Sequence, residues 1–231
     1  MHEYKLIKSP RSKRRTSIRL NTKGEVEVRA PRWVPKFMID QFVRSQSDWI
    51  KKVLAEFQNR PKRKLDHGSR LPLFGHELIL EITFSDSRKK VALKFLDDSL
   101  WASVPRTISA QHKQKQLERL LFTWYKEQAL KTLTQLTRKY SEKLKVRFNQ
   151  IRIKNHQSRW GSCSSKGNIN YNWRLSLAPL EVSEYVVIHE VCHLVHHNHS
   201  RAFWQLVGQL EPNYKRHIKW LQTNRHQLEL I

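Results

Sequence analysis

Residues 189–199 read His-Glu-Val-Cys-His-Leu-Val-His-His-Asn-His, and the rest of the chain is best read outward from them. The first five, His189-Glu190-Val191-Cys192-His193, form an HExxH pattern. Residues four apart on an α-helix lie one turn apart on the same face, so both imidazoles can reach one cation. Glu190 stands beside them, placed to take a proton from metal-bound water rather than to ligate. One Zn2+ is the expected ion, because zinc lowers the pKa of its water to about 7. The chemistry this implies is metal-assisted hydrolysis.

A catalytic zinc takes three protein ligands and keeps one position open. His199 is the expected third ligand. Along an unbroken helix it would point away from His193, so the helix has to stop first. Asn198 tolerates the left-handed conformation that ends helices. Ser200 can cap a following helix carrying Phe203, Trp204, Leu206 and Val207. His196, three residues from His193, could compete as a ligand, but it and His197 are read as hydrogen-bonding to the ligands or facing solvent, and His217 and His226 as ordinary surface residues. A histidine-rich surface helix is the rival reading in a chain with 12 His. It accounts for the motif but not for the turn and cap around it.

Upstream, residues 151–175 alternate apolar and polar around Ser165-Lys166-Gly167, which predicts two strands joined by a turn. Arg159, Asn172 and Arg174 are candidates for binding a substrate oxyanion or phosphate beside the metal, or else exposed strand residues with structural roles. Trp160, Trp173 and Trp204 are expected in the core, as are Cys163 and Cys192, the latter open to oxidation within the motif. Two cysteines make no disulfide framework, which points to a reducing compartment.

Further out, Leu117, Leu120, Leu121, Trp124, Ala129, Leu133 and Leu136 stripe a helix from Thr107 to about Leu144. Before it come short strands at 71–74, 78–84, 91–96 and 100–104, with a turn at Asp97-Asp98. Asn59–Arg70 reads as a loop, and residues 37–57 as a single helix of four or five turns. Residues 4–30 read as strands, with a hairpin turn at Asn21–Gly24. The expected fold class is α+β: a β-rich N-terminal region with one helix over residues 1–106, and a second domain over 107–231.

The charge adds a second theme. Lys and Arg number 44 against 20 Asp and Glu, a net +24, and residues 1–70 alone carry 19 basic against 7 acidic side chains. Such a field favours polyanions, so the basic N-terminal region is a candidate for nucleic-acid association. No stretch approaches the roughly 20 apolar residues of a membrane span, and Met1–Arg15 has no apolar signal core. A cytoplasmic protein without a membrane partner is the expectation; the oligomeric state is left open.

Arg159-Trp160-Gly161-Ser162-Cys163-Ser164, Asn172-Trp173-Arg174-Leu175 and the run from His189 to Trp204 resemble the YgjP-like metallopeptidase family, related to the WLM and SprT-type zincins. The N-terminal hairpin, Ala30-Pro31, Trp49-Ile50, Pro72-Leu73-Phe74-Gly75 and Trp124-Tyr125 extend the likeness over nearly the whole chain. The resemblance implies a zincin-like C-terminal domain with an HExxH active-site helix, bordered by the 157–175 hairpin. It also implies His189, His193 and His199 as ligands and Glu190 as base. His196 stands where the metzincins have glycine, and Met1 and Met38 both precede the motif, so no metzincin turn is expected. Peptide bonds are the substrate that the resemblance suggests. It also brings a nucleotide alternative, pyrophosphatase action on UTP. A basic nucleic-acid-associated module with a structural metal is the non-enzymatic alternative.

Overall fold

The computed structural model describes residues 3–8, 15–21, 24–58 and 64–228. The chain divides into two compact units, Met1–Lys62 and Arg63–Ile231. The division expected after residue 106 falls inside the second.

In the first unit, β1 (Lys5–Lys8), β2 (Ser17–Leu20) and β3 (Val26–Ala30) form a sheet in the order β1-β3-β2. β2 and β3 are the expected hairpin, and β1 joins β3 in parallel. The helix expected over 37–57 is two helices, α1 (Lys36–Ser45) and α2 (Ser47–Gln58), interrupted at Gln46. Ile39, Val43 and Ile50 bury their side chains against Val26 and Val28. The break lets both helices bury apolar residues in one small core, which one straight rod could not do. Residues 59–63 of the expected loop, and 9–14 of the basic N-terminal stretch, lie outside the described residues.

The second unit holds the other two sheets. β4 (Ser69–Leu73), β5 (His76–Ser85), β6 (Ala92–Leu96) and β7 (Ser99–Pro105) lie in the order β4-β5-β7-β6. The turn between β6 and β7 has Asp97 and Asp98 at φ 48° and 55°, the backbone of the tight hairpin that two such residues favour. α3 (Ala110–Lys143) is capped by Ser109, whose side chain accepts from the His112 N–H. Its stripe Leu117, Leu121, Tyr125, Ala129 and Leu133 is fully buried in one core with Leu80, Leu100, Val187 and Val191. That shared core is why no boundary falls near residue 106.

β8 (Gln150–Lys154), β9 (Gly161–Cys163) and β10 (Asn168–Asn172) form the third sheet in the order β8-β10-β9. β9 and β10 are the predicted hairpin, with Gly167 at φ 71° in its turn. β8 adds in parallel on the far edge of β10. Trp173–Leu177 is a 3-10 turn rather than strand. α4 (Leu180–Cys192) is buried on nearly every side, α5 (Arg201–Leu210) and α6 (Tyr214–Thr223) follow, and a 3-10 turn over Arg225–Leu228 ends the described chain. Among the described residues no helix is long and apolar enough to cross a membrane.

Candidate metal centre

α4 places His189 and His193 one turn apart and ends there: its last residue is Cys192 and its cap is His193. The chain then tightens, with the N–H groups of Leu194 and Val195 bonding to the carbonyls of Val191 and Cys192. Asn198 takes no left-handed backbone, contrary to expectation. Its side-chain oxygen instead accepts from the Ser200 N–H at 3.3 Å, and Ser200 caps α5 by accepting from the Phe203 N–H. The corner so formed returns His199 to the other two histidines.

One nitrogen from each of His189, His193 and His199 lies within 4.8 Å of the others. Nε2 of His189 and Nε2 of His199 are 3.1 Å apart. Two nitrogens bound tetrahedrally to zinc at about 2.0–2.1 Å would stand about 3.3 Å apart, so the spacing suits a shared cation. His193 has its Nδ1 3.0 Å from the His196 carbonyl, a partner that turns the other ring nitrogen toward the cluster. His196 thus acts through its backbone, and His197 is exposed.

Burial favours the neutral form of His189 and His193, as ligation requires. It drives the His189 pKa down to about 3 and lowers that of His193, with the neighbouring imidazoles adding to both shifts. α5 supplies the wall behind them. Phe203 is fully buried and stacks on His193 at 4.5 Å, and Trp204 stacks on His199 at 5.7 Å. Trp204, expected simply in the core, therefore packs on a candidate ligand.

Glu190 is 5% exposed, and its Oε2 is buried without a hydrogen-bond partner, as is Nδ1 of His189. Burial pushes the carboxyl up to about 8, and the positive charge of Arg159 opposes that rise. The backbone of β9 runs directly against Glu190. A Cβ built on Gly161 would lie 2.4 Å from Oε1 and 2.7 Å from Cδ, far inside contact distance. Gly161 is a residue whose role its sequence position does not announce. The three converging imidazoles form a group that could hold a metal ion, with the orphaned carboxylate of Glu190 following His189 on α4.

Of the three candidate substrate contacts, only Arg159 is exposed. Asn172 is 2% exposed and uses its whole amide on the chain: Nδ2 donates to the carbonyls of His156 (2.7 Å) and Arg159 (3.1 Å), and Oδ1 accepts from the Arg174 N–H. Arg174 donates to Asn155 Oδ1 at 2.6 Å and lies over the Trp173 ring. Both are committed to holding the 155–174 segment. Trp173 is core, whereas Trp160 lines a cleft of about 460 Å³ beside the histidines. Tyr185, Val186, His189, Glu190, Ile218 and Leu221 also face that cleft. Tyr185 lies one helical turn before His189, so extending the four-residue spacing back from the motif would have found it. Cys163 and Cys192 have thiols pushed up by burial to about 11 and 12, which leaves little reactive thiolate. His217 is not a surface residue: it is buried and stacks on Tyr185 at 6.0 Å. The His226 side chain lies outside the described residues.

A family model for the YgjP-like metallopeptidase domain matches residues 14–224. The chain belongs to the YgjP-like metallopeptidase family. No curated protein matches it. Among solved structures, the metallopeptidase zymogen of Pyrococcus abyssi abylysin is similar at 24% identity and a TM-score of 0.37, over 39% of this chain and 92% of that one. Within this YgjP-like chain, the histidine cluster lies inside the matched span.

Proposed function

We propose that this YgjP-like chain is a zinc-dependent peptidase in which His189, His193 and His199 hold the ion and Glu190 is the catalytic base. The observation that carries the reading is the convergence of three ring nitrogens within 4.8 Å beside a buried, unpartnered carboxylate oxygen. Zinc bound there supplies Lewis acidity, polarising the scissile carbonyl and acidifying a coordinated water.

The protein's own groups do the rest. Glu190 takes a proton from the attacking water as the C–O bond forms, then delivers it to the departing amine nitrogen as the C–N bond breaks. Its raised proton affinity lets it hold that proton between the two steps. Phe203 and Trp204 keep the histidine rings from turning. The cleft walled by Val186, Ile218 and Leu221 receives the substrate residue beside the scissile bond and keeps bulk water away.

Glu190→Gln keeps the shape but removes the base. The expected result is one zinc per chain by metal analysis, with casein cleavage reduced at least about 100-fold, the low end for a general base. Turnover close to that of the parent protein would overturn the mechanism. Hydrolysis of UTP by the zinc-loaded parent, with casein untouched, would transfer the same site to the nucleotide reading that the basic charge favours.

A further inference from the structure

The first unit carries a surface that the peptidase reading does not use. The Val34 N–H bonds to the Pro31 carbonyl, closing a turn with Arg32 and Trp33 at its tip. α1 begins two residues later, with Lys36 and Phe37 in its first turn. Two basic–aromatic pairs, Arg32-Trp33 and Lys36-Phe37, therefore recur at a spacing of four. Their rings stand in water: Trp33 is 69% exposed and Phe37 70%.

This display is built rather than loose. Lys8 Nζ donates to the carbonyls of Arg32 and Val34, on either side of Trp33. Ala30, Val34 and Ile39 are buried in the unit's core and anchor the segment from below. Asp40, one helical turn beyond Lys36 and lining the same hollow, accepts from the Tyr4 hydroxyl at 2.5 Å. Among the described residues no acid pairs with Arg32 or Lys36. Large flat rings held in water beside cations without an ion-pair partner suit one ligand chemistry, a chain of stackable bases on a polyanionic backbone. A protein partner rich in acids would use the cations but not the ring faces. A membrane would favour one continuous apolar face, whereas here cations alternate with the rings.

We propose that the Pro31–Val34 turn and the start of α1 form a platform for single-stranded nucleic acid. Bases stack on Trp33 and Phe37, and phosphates lie against Arg32 and Lys36. The proposal is independent of the metal centre.

The test is fluorescence anisotropy of labelled 12-nucleotide dT and U strands with the full chain, titrated over a range of salt. Trp33→Ala/Phe37→Ala is expected to weaken binding about 25-fold or more, since each stacked base contributes roughly fivefold or more. Because both side chains are exposed, the variant should keep the parent's thermal unfolding. Arg32→Gln/Lys36→Gln should lower the slope of log affinity against log salt by about 1.4, the effect of two lost phosphate contacts on a single strand. Unchanged affinity in the aromatic variant overturns the proposal. So does equally tight binding of a duplex, whose bases cannot stack on the rings, or capture by phosphatidylserine vesicles without oligonucleotide binding.

Discussion

Two arms meet at the cleft, and they contribute in opposite ways. The helical arm, α4 and α5 with the corner between them, sends side chains inward: His189, His193 and His199 bring one ring nitrogen each to one point, with Phe203 stacked on His193, and Glu190 faces the cleft beside His189. The hairpin arm, β9 and β10, contributes mostly by what it lacks. Gly161 leaves room for Glu190, and the buried amide of Asn172 spends every contact on its own backbone. Both arms are rich in polar residues, yet only the helical one brings several of them together. Residue type alone does not separate a contact with substrate from a strut. What separates them is whether the local backbone already needs the polar atoms.

The hardest blow to this contrast is Gly161→Ala. The added methyl would fall 2.4 Å from Oε1 of Glu190, so either the carboxylate or the strand must move. A displacement of about 1 Å in a reacting group can cost about 100-fold in rate. The expected outcome is a fall of that order in kcat/KM for casein with zinc content unchanged, because the three atoms nearest that methyl all belong to Glu190. Loss of zinc as well would mean that the two arms are not separable, and that the hairpin helps to hold the ligands.

Asn172→Ala should act on stability instead. It leaves the carbonyls of His156 and Arg159 without their partner, at a cost of about 1–3 kcal/mol in denaturant unfolding. Turnover per folded molecule should change far less than in Gly161→Ala. A large fall in kcat with stability intact would restore Asn172 as a substrate contact.

The contrast also explains what the sequence could reveal. The helical arm is local: its candidate ligands fall within eleven residues, and periodicity, a cap at Ser200 and the coordination number of zinc lead to His189, His193 and His199. The α3 stripe and the turns at Asp97-Asp98 and Gly167 were legible for the same reason. The hairpin arm's roles depend on contacts across the chain. Gly161 matters because of Glu190, 29 positions away, and Asn172 because of carbonyls 13 and 16 positions back. No local pattern records such pairings. The common core of α3 and the β4–β7 sheet is hidden likewise, since a helix stripe does not say which sheet it covers. The break at Gln46 is another case, because the apolar spacing of 37–57 continues through it.

Arg159 tests the contrast most finely, because it is the one of the three candidate substrate contacts left exposed. Its positive charge favours the ionised form of Glu190, which burial opposes. A base works only when deprotonated, so activity is lost as pH falls through its pKa. Removing a charge that lowers that pKa moves the loss to higher pH. Arg159→Gln should therefore shift the acid limb of kcat/KM upward, and at the pH optimum cost only about fivefold or less, the range of an exposed charge interaction. Added salt should shrink the shift, since a solvent-exposed guanidinium is screened. If Arg159 instead binds the oxyanion of the transition state, the signature changes: kcat falls about 100-fold or more and the acid limb stays in place. The first result leaves the hairpin as a frame that tunes the base from a distance. The second makes it a partner in the chemistry, through a single side chain.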